Sequence, residues 1–357
     1  MKKSKLVVRA ATEDDYPQIA HLLDDTFSPI PFEKRRKLWQ WRYDDNPARV
    51  PEIPPFIVGD QDGKIVGVHG LTPLRVKIKN EVFYSGCSCD LAVDPAARSA
   101  GMKIKVRAMK NETSLLPMST SANEAANKIT LALGGKELSP ARNKYIKALK
   151  YSGLVARKFG GFAGVLAKPL DAILGSKAKQ PVLGGSLRLE DITEFDTRFD
   201  QFWNIISQER HNLFVRDAAY LNWRYCRYPF PGIEAFAIIE DKTVRGLAAI
   251  HKSIDNDKLP FIAILELLTQ HNDSRTAQQL LDEILSRASK HGVDTIIAKT
   301  MSDDIDGLLV KTGFKPRPLA ISPYTYKNNT ELPDEQFDTM GNWYIALGDG
   351  DACYYYE

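Results

Sequence analysis

Apolar and polar positions follow the same order in two separate stretches of the chain. Pro55–Val68 consists of an apolar run, an Asp-Gly pair and a second apolar run, which is the usual pattern of a β-hairpin. Ala235–Ile250 repeats this order around a polar turn. A second predicted hairpin follows each of the two, with turns near Asn80 and near Asp255–Asn256. The pattern therefore predicts two similar antiparallel units.

Each unit next enters an apolar strand that contains one acidic residue, Asp90 in the first and Glu266 in the second. A helix is predicted after each strand, over residues 101–110 and 274–291. The second helix has apolar residues at helical spacing, namely Leu280, Leu281, Ile284, Leu285 and Ala288. Strands alternating with helices indicate an α/β fold.

A Trp-Arg-Tyr triplet occurs once in each half, beginning at Trp41 and at Trp223. Its repetition at the same place in both units makes two copies of one α/β fold the simplest interpretation. The predicted boundaries are residues 1–150 for the first domain, 151–182 for a connector and 183–357 for the second domain. The triplets are either structural anchors or platforms for stacking sugars, and the repetition favours anchors.

The connector is apolar, rich in glycine and flanked by basic residues. One interpretation is a helix packed between the domains. The other is an interfacial helix that touches a membrane, which the glycines and Pro169 disfavour.

Length and composition narrow the class of protein. A chain of 357 residues suits two domains. Its 48 basic and 45 acidic residues give a net charge of +3, so electrostatics offers no reason to expect a nucleic-acid partner. No signal peptide or membrane-spanning segment is predicted, and the four scattered cysteines have no zinc-binding spacing. We therefore expect a cytoplasmic protein with reduced thiols, no metal and no stable membrane insertion.

The stretch after Asp90 carries the most specific motif. A strand ends at Val93, Pro95 follows, and an Arg-x-x-Gly turn from Arg98 to Gly101 opens a helix. Backbone amides at such a helix start suit a pyrophosphate. The stretch resembles the signature of the GNAT (GCN5-related N-acetyltransferase) family, except that Lys103 replaces a small residue. The resemblance implies two tandem GNAT domains in a mixed α/β fold and an acyl-CoA site formed by Leu91, Ala92, Val93, Arg98, Ser99, Ala100, Gly101, Met102 and Lys103.

Two further positions follow from the resemblance. Asn123 begins an Asn-x-x-Ala pattern and is expected to border the pantetheine arm. Thr130 occupies the position where many GNAT enzymes have a tyrosine general acid. The second copy has no glycine loop after Glu266, so CoA binding is not expected there. The chain is similar to tandem GNAT proteins of bacterial polysaccharide gene neighbourhoods.

Candidate catalytic residues follow from the chemistry of acyl transfer, which needs a base for the amine and amides to polarise the thioester carbonyl. Asp90 is the first candidate base, with a structural ion pair as the alternative. His69 is a second candidate, since imidazole titrates near neutral pH. Glu266 either holds a substrate amine or is a structural remnant. The Gly-Asp-Gly-Asp run from Gly348 to Asp351 is predicted to be a turn.

The expected function is transfer of an acetyl or other acyl group from acetyl-CoA to a small amine, with an amino sugar of a surface-polysaccharide precursor as the expected acceptor. One alternative is a non-catalytic protein that binds CoA or serves as a scaffold. Another is aminoacyl transfer of the Fem type, which the nearly neutral charge disfavours because the donor would be a tRNA.

Overall fold

The computed structural model describes residues 5–110, 115–139, 143–169, 171, 181–254, 259–299, 302–318 and 324–351. The chain divides into two compact units. The first unit comprises Met1–Ala141 and Ile321–Met340, and the second comprises Arg142–Ala320 and Gly341–Glu357.

The described strands are β1 Leu6–Ala10, β2 Phe56–Gln61, β3 Lys64–Ile78, β4 Glu81–Val93, β5 Met118–Ser119, β6 Lys136–Glu137, β7 Asn143–Ala148, β8 Leu187–Ile192, β9 Asn212–Phe214, β10 Ile233–Glu240, β11 Thr243–Ile254, β12 Pro260–Thr269, β13 Thr295–Lys299, β14 Lys315–Pro318, β15 Thr325–Tyr326 and β16 Trp343–Tyr344. The described α-helices are α1 Tyr16–Thr26, α2 Phe32–Trp39, α3 Ser99–Met109, α4 Glu124–Ala132, α5 Ser152–Phe159, α6 Gly161–Leu166, α7 Thr197–Glu209, α8 Ala218–Leu221, α9 Ser274–Lys290 and α10 Asp303–Lys311.

The strands of the first unit are hydrogen-bonded in the order β1-β2-β3-β4-β5-β15-β6. All neighbours among β1 to β4 are antiparallel, whereas β4 and β5 are parallel. Adjacent residues of β2 point to opposite faces, so Val58 packs with α1 in one core cluster and Ile57 packs with α3 in another. The sheet is thus covered by helices on both faces.

Close packing of α3 depends on a glycine in β3. A Cβ atom at Gly67 would lie 2.5 Å from Cδ1 of Ile104, which is fully buried on α3. Because glycine leaves this space free, the helix lies directly on β3 and β4. The position of α3 matters because its first turn follows the predicted pyrophosphate loop.

The local sequence predictions for the first unit are confirmed. The Asp62-Gly63 turn joins β2 to β3, and both turn residues have positive φ, as this type of hairpin requires. The turn near Asn80 joins β3 to β4, and the predicted helix 101–110 corresponds to α3. The turn predicted at Asp255–Asn256 lies outside the described residues.

The second unit repeats this arrangement with its own strands. Its sheet has the order β14-β7-β13-β12-β11-β10-β8. Strands β8, β10, β11 and β12 pair antiparallel, whereas β12 and β13 are parallel, as β4 and β5 are in the first unit. The predicted helix 274–291 corresponds to α9. The predicted mixed α/β fold is confirmed.

The unit boundaries reflect pairing over long sequence distances. Strand β7 pairs with β13 and β14, so residues 143–148 belong to the second sheet although the sequence pattern placed them in domain 1–150. Strand β15 pairs with β5 and β6 and therefore belongs to the first sheet, although it falls within 183–357. No local sequence signal indicates that β7 pairs in the second sheet or that β15 pairs in the first.

Both Trp-Arg-Tyr triplets lie in π-helical turns, Gln40–Asp44 and Asn222–Cys226. Their tryptophans, Trp41 and Trp223, are almost completely buried. Buried rings cannot serve as open platforms for a sugar, so the structural interpretation of the triplets is confirmed. Local π-helical geometry is uncommon and often occurs near functional sites.

The connector forms α5 and α6, and its residues 172–180 lie outside the described ranges. These helices expose several large apolar side chains, namely Phe159, Phe162, Val165 and Leu166. Within the described residues, no helix has both the length and the apolar character needed to cross a membrane. Cys87, Cys89 and Cys226 are thiols, as predicted, and Cys353 lies outside the described residues.

Candidate functional site

A β-bulge interrupts the pairing of β3 with β4 at the predicted site. Gly70 pairs with Cys89 and Val68 pairs with Ala92, so His69 alone faces two residues, Asp90 and Leu91. Asp90 has a φ of 49°, in the left-handed region that non-glycine residues rarely adopt. Strained residues of this kind persist where surrounding contacts hold them, and they concentrate at functional sites. The bulge therefore brings two predicted catalytic residues to one place in the ladder.

A gap between β4 and β5 begins just before the bulge. The two strands pair through Cys87 and Met118, and β4 continues to Val93 without further pairing to β5 among the described residues. Ser88, Leu91 and Val93 are partly exposed, although β4 lies in the middle of the sheet. The backbone of Leu91–Val93 is therefore open on one side to an extended ligand.

The predicted loop closes one end of this gap. Asp94 Oδ1 accepts a hydrogen bond from the Ala96 amide at 2.9 Å and so stabilises the 3₁₀ turn Pro95–Ala97. Helix α3 begins at Ser99, and the Arg98 side chain makes no capping hydrogen bond to it. The first amides of a helix have no intrahelical acceptor. The Gly101 amide donates to the Arg98 carbonyl at 3.3 Å, and the start of α3 is a positively polarised helix terminus without a side-chain cap at Arg98.

The side chains at this terminus separate clearly into two groups. Ala100 and Gly101 are buried against the sheet, whereas Arg98, Ser99, Met102 and Lys103 are exposed. Lys103 is exposed and lies away from the side of α3 that packs against the sheet, so it leaves the loop of Arg98–Gly101 unobstructed. Two exposed cationic side chains beside a polarised helix start together form a surface suited to an anion such as a pyrophosphate.

Asn123 and Thr130 have structural partners in α4. Asn123 is exposed and caps the helix, with its Oδ1 atom accepting from the Ala126 amide at 2.9 Å. Thr130 is buried, and its hydroxyl donates to the Ala126 carbonyl at 3.0 Å. A helix-bonded aliphatic hydroxyl is a poor proton donor, so Thr130 does not supply a general acid.

Asp90 is held by the first Trp-Arg-Tyr turn. Arg42 Nη1 donates to Asp90 Oδ2 at 2.8 Å, and both side chains are at least 95% shielded from solvent, with exposures of 3% and 4%. Tyr43 from the same turn contacts the Cys89 thiol at 3.5 Å. The π-helical turn therefore fixes the bulge by binding its acidic residue.

His69 has a different environment. It is 1% exposed, and neither ring nitrogen has a hydrogen-bond partner among the described residues. Burial, together with the charge of Lys105 on α3, lowers the pKa of His69 well below its ordinary value of 6.5. The imidazole is therefore neutral at pH 7, with one donor and one acceptor unused.

The helix terminus that corresponds to α3 is closed in the second unit. Asp273 precedes α9, its Oδ1 atom accepts from the Thr276 amide at 3.0 Å, and its Oδ2 atom accepts from the Thr276 hydroxyl at 2.7 Å. A carboxylate already occupies the position that an anionic ligand would need. The start of α3 has no such side-chain cap at Arg98. This difference agrees with the absence of a glycine loop after Glu266 in the second unit.

Glu266 lies in a buried network in the second unit. Its side chain is 0% exposed, and Glu266 Oε2 accepts from Arg216 Nε at 3.0 Å and from the Tyr225 hydroxyl at 2.9 Å. Tyr344 donates to Oε1 of the same carboxylate. Burial raises the pKa of Glu266, and Arg216 opposes that shift. Both carboxylate oxygens of Glu266 are thus engaged in hydrogen bonds.

Asp349 completes this network from the C-terminal segment. Arg216 Nη2 lies 2.5 Å from Asp349 Oδ2, and Tyr220 donates to Asp349 Oδ1 at 2.9 Å. The predicted turn at Gly348–Asp351 is confirmed by the 3₁₀ turn Leu347–Asp349. A Cβ atom at Gly348 would lie 2.9 Å from the Leu265 carbonyl oxygen. Only glycine therefore lets this turn approach Leu265, where the pairing of β12 with β11 shifts its register. The segment therefore covers the second-unit counterpart of the open bulge.

Sequence reasoning missed Arg216, Tyr344 and Asp349 as members of one network, and it also missed Lys105. Lys105 lies four residues after Gly101 on the buried stripe of α3, and this spacing was a readable signal. No group of His, Cys, Asp and Glu side chains in the described part of the chain is arranged to hold a metal ion.

Comparison with known proteins agrees with this geometry. Residues 7–112 match the family described as acetyltransferase (GNAT) domain, and they include β1 to β4, the bulge and α3. This part of the chain is therefore similar to a GNAT acetyltransferase domain. A comparison with curated protein sequences gives no match.

Solved structures of similar fold cover most of the chain. A GCN5-related N-acetyltransferase from Anabaena variabilis is 12% identical with a TM-score of 0.60, covering 91% of this chain and 73% of that chain. A Saccharomyces cerevisiae N-myristoyltransferase with bound myristoyl-CoA and inhibitors is 12% identical with a TM-score of 0.62, covering 98% and 87%. A probable N-acyltransferase from Enterococcus faecalis is 13% identical with a TM-score of 0.57, covering 90% and 72%. At these identities the likeness concerns the fold.

The network around Arg216 predicts a large effect on stability. Arg216→Met leaves two buried carboxylates without their cation, so we expect the free energy of unfolding to fall by about 3–5 kcal/mol. Arg245→Met is the matched control, because Arg245 is 37% exposed and contacts Glu240 at 3.5 Å. An exposed pair of this kind contributes less than about 1 kcal/mol. Urea denaturation followed by tryptophan fluorescence measures both, and equal losses in the two variants would contradict the network.

The lowered pKa of His69 predicts a pH dependence of stability. The unfolded chain binds a proton at His69 below pH 6.5 and the folded chain does not, so the free energy of unfolding falls as pH drops below 6.5. The largest contribution is about 1.4 kcal/mol per pH unit. We expect His69→Gln to have a shallower decline between pH 7.5 and 5.5 in denaturant titrations. Parallel curves for the two proteins would show that His69 protonates equally in both states.

Proposed function

We propose that the first unit is an N-acyltransferase that moves an acyl group from coenzyme A to the amine of a small acceptor. Acetyl-CoA is the simplest donor, and an amino sugar of a surface-polysaccharide precursor is the acceptor that the sequence resemblance suggests. The observation that carries the proposal is the start of α3, which has no side-chain cap at Arg98, beside the open backbone of Leu91–Val93, inside the part of the chain that is similar to a GNAT domain. The bound myristoyl-CoA of the yeast neighbour agrees with a thioester donor in this fold.

In this proposal, the pyrophosphate binds the amides and cationic side chains at Arg98–Lys103. The pantetheine arm then runs along β4 in the gap, where backbone groups of Leu91–Val93 are available for hydrogen bonds. Amides at the bulge polarise the thioester carbonyl, because they are held in place before the reaction and need no reorganisation. Asn123, at the start of α4, borders the same arm.

Acyl transfer then proceeds by direct attack. The acceptor nitrogen bonds to the carbonyl carbon, the carbon–sulfur bond breaks, and CoA leaves as a thiolate. Asp90 takes the proton of the amine directly or through a water, and Arg42 holds its carboxylate at the bulge. The leaving thiolate takes a proton from solvent, since a thiol with a pKa of about 8.5 is a good leaving group without an acid.

His69 and Glu266 fit other roles in this scheme. His69 is the alternative base, and its unused ring nitrogens keep that assignment open to test. We assign Glu266 a structural role, because its hydrogen bonds to Arg216, Tyr225 and Tyr344 tie it to the closed network of the second unit. The second unit then supports the fold of the chain and does not bind a donor of its own.

Gly101→Trp tests the position of the donor. A Cβ atom at Gly101 already lies 3.1 Å from Val93 Cγ2, so an indole must displace either the loop or the end of β4. We expect saturable binding of acetyl-CoA and free CoA to the wild type in calorimetric titration, and at least a tenfold weaker affinity in the variant. Gly307→Trp, at an open position on α10, is the control. Unchanged affinity in Gly101→Trp would place the donor elsewhere.

Asp90→Asn tests the chemical step. Loss of the carboxylate is expected to lower kcat by about 10²-fold or more, while the dissociation constant for acetyl-CoA changes only a few-fold. Because the single variant leaves Arg42 buried without its partner, the double variant Arg42→Met with Asp90→Asn controls for misfolding. Turnover is measured by release of the CoA thiol with a panel of amino sugars.

The outcomes of this experiment separate the alternatives. A folded double variant that binds acetyl-CoA as tightly as the wild type and remains slow supports Asp90 as the base. Full activity in the double variant would move the role to His69 or to solvent. Binding of CoA without turnover of any amine would favour a non-catalytic CoA-binding protein.

A further inference from the structure

Helix α3 carries a buried amine that the proposed reaction does not use. Lys105 is 3% exposed, and its Nζ atom donates to Ser88 Oγ at 3.1 Å. Among the described residues, no carboxylate lies within ion-pair distance of this amine. Burial of an ammonium group without a counter-ion is costly. In agreement, burial lowers the pKa of Lys105 to about 8.

His69 lies across the β3–β4 ladder from Asp90 and Leu91, two to three residues along β4 from Ser88. Both ring nitrogens are buried without a partner among the described residues. Native proteins satisfy most buried polar groups, so orphaned groups in one place require an explanation. A ligand that brings carboxylate oxygens to this place would pair with the lysine and accept from the N–H of the histidine.

Ser88, the hydrogen-bond partner of Lys105, lies at the closed end of the proposed donor gap, one residue after Cys87. The gap opens after the Cys87–Met118 pair and reaches Val93, next to the pyrophosphate loop. The five residue-to-residue steps from Val93 back to Ser88 cover roughly 16 Å of strand. A donor with its phosphates at the loop and its arm along β4 therefore directs its acyl end towards Ser88, which is partly exposed.

We propose that Lys105, His69 and Ser88 form an acyl-recognition subsite for a donor whose acyl group ends in a carboxylate, such as a succinyl group. The carboxylate pairs with the Lys105 ammonium and accepts hydrogen bonds from the imidazole N–H and the Ser88 hydroxyl. An alkyl acyl chain offers no acceptor and leaves the same groups unsatisfied, and such a site discriminates strongly. This subsite rests on the proposed function and specifies its donor class.

Calorimetric titrations of free CoA, acetyl-CoA and succinyl-CoA test the subsite on the full chain. The wild type is expected to bind succinyl-CoA at least tenfold more tightly than acetyl-CoA. Lys105→Met keeps the length of the side chain and removes its charge, so we expect this preference to disappear. Lys110→Met removes a lysine from the exposed end of the same helix and is expected to keep the preference.

His69→Gln gives an independent check if Lys105→Met does not fold, and we expect it to reduce the succinyl preference at least threefold. Equal affinity of the wild type for acetyl-CoA and succinyl-CoA would overturn the subsite and leave the proposed function intact. A succinyl preference that survives in folded Lys105→Met would also overturn it. Failure of all three ligands to bind the wild type would overturn the proposed function itself.

Discussion

The buried ion pair between Arg42 and Asp90 is the contact on which the geometry of the first unit depends. Asp90 has a backbone conformation that costs a non-glycine residue about 1–3 kcal/mol, and the guanidinium contact holds it there. The bulge at Asp90 bends β4 just after its only described pair with β5. The separation of these strands, the partial exposure of Leu91 and Val93 and the approach to α3 all follow from that bend.

In the second unit, internal side chains bind the groups that correspond to the candidate site of the first unit. Its acidic strand residue, Glu266, is bound by Arg216 and two tyrosines, and Asp349 closes the network from the C-terminal segment. Its helix terminus is capped by Asp273 rather than left to a ligand. Internal side chains thus enclose both the acidic residue and the helix terminus in the second unit, whereas the start of α3 has no side-chain cap at Arg98. The two units differ mainly in the partners of these groups, while the strand order is shared.

Much of this fold can be predicted from local patterns. The Asp62-Gly63 turn, the helix of Leu280 to Ala288 and the strand containing Asp90 each have a signal within a few residues, and the structure places all of them as expected. The repeat of Trp41 and Trp223 indicates shared architecture because rare residues recur in the same context. By contrast, β15 and Asp349 reach their partners over long stretches of chain, and no local pattern specifies such pairing. Lys105 was visible as a lysine on a buried stripe, but its contact with Ser88 depends on the register of α3 on β4.

The central claim is that a CoA thioester binds at the start of α3 and along β4 in the first unit alone. Hydrogen–deuterium exchange with and without acetyl-CoA tests it directly, because bound phosphate and pantetheine oxygens protect the backbone amides they contact. The account predicts slower exchange at residues 88–104 and unchanged exchange at residues 265–277. Protection at residues 265–277, or no protection at residues 88–104 under saturating acetyl-CoA, would contradict it.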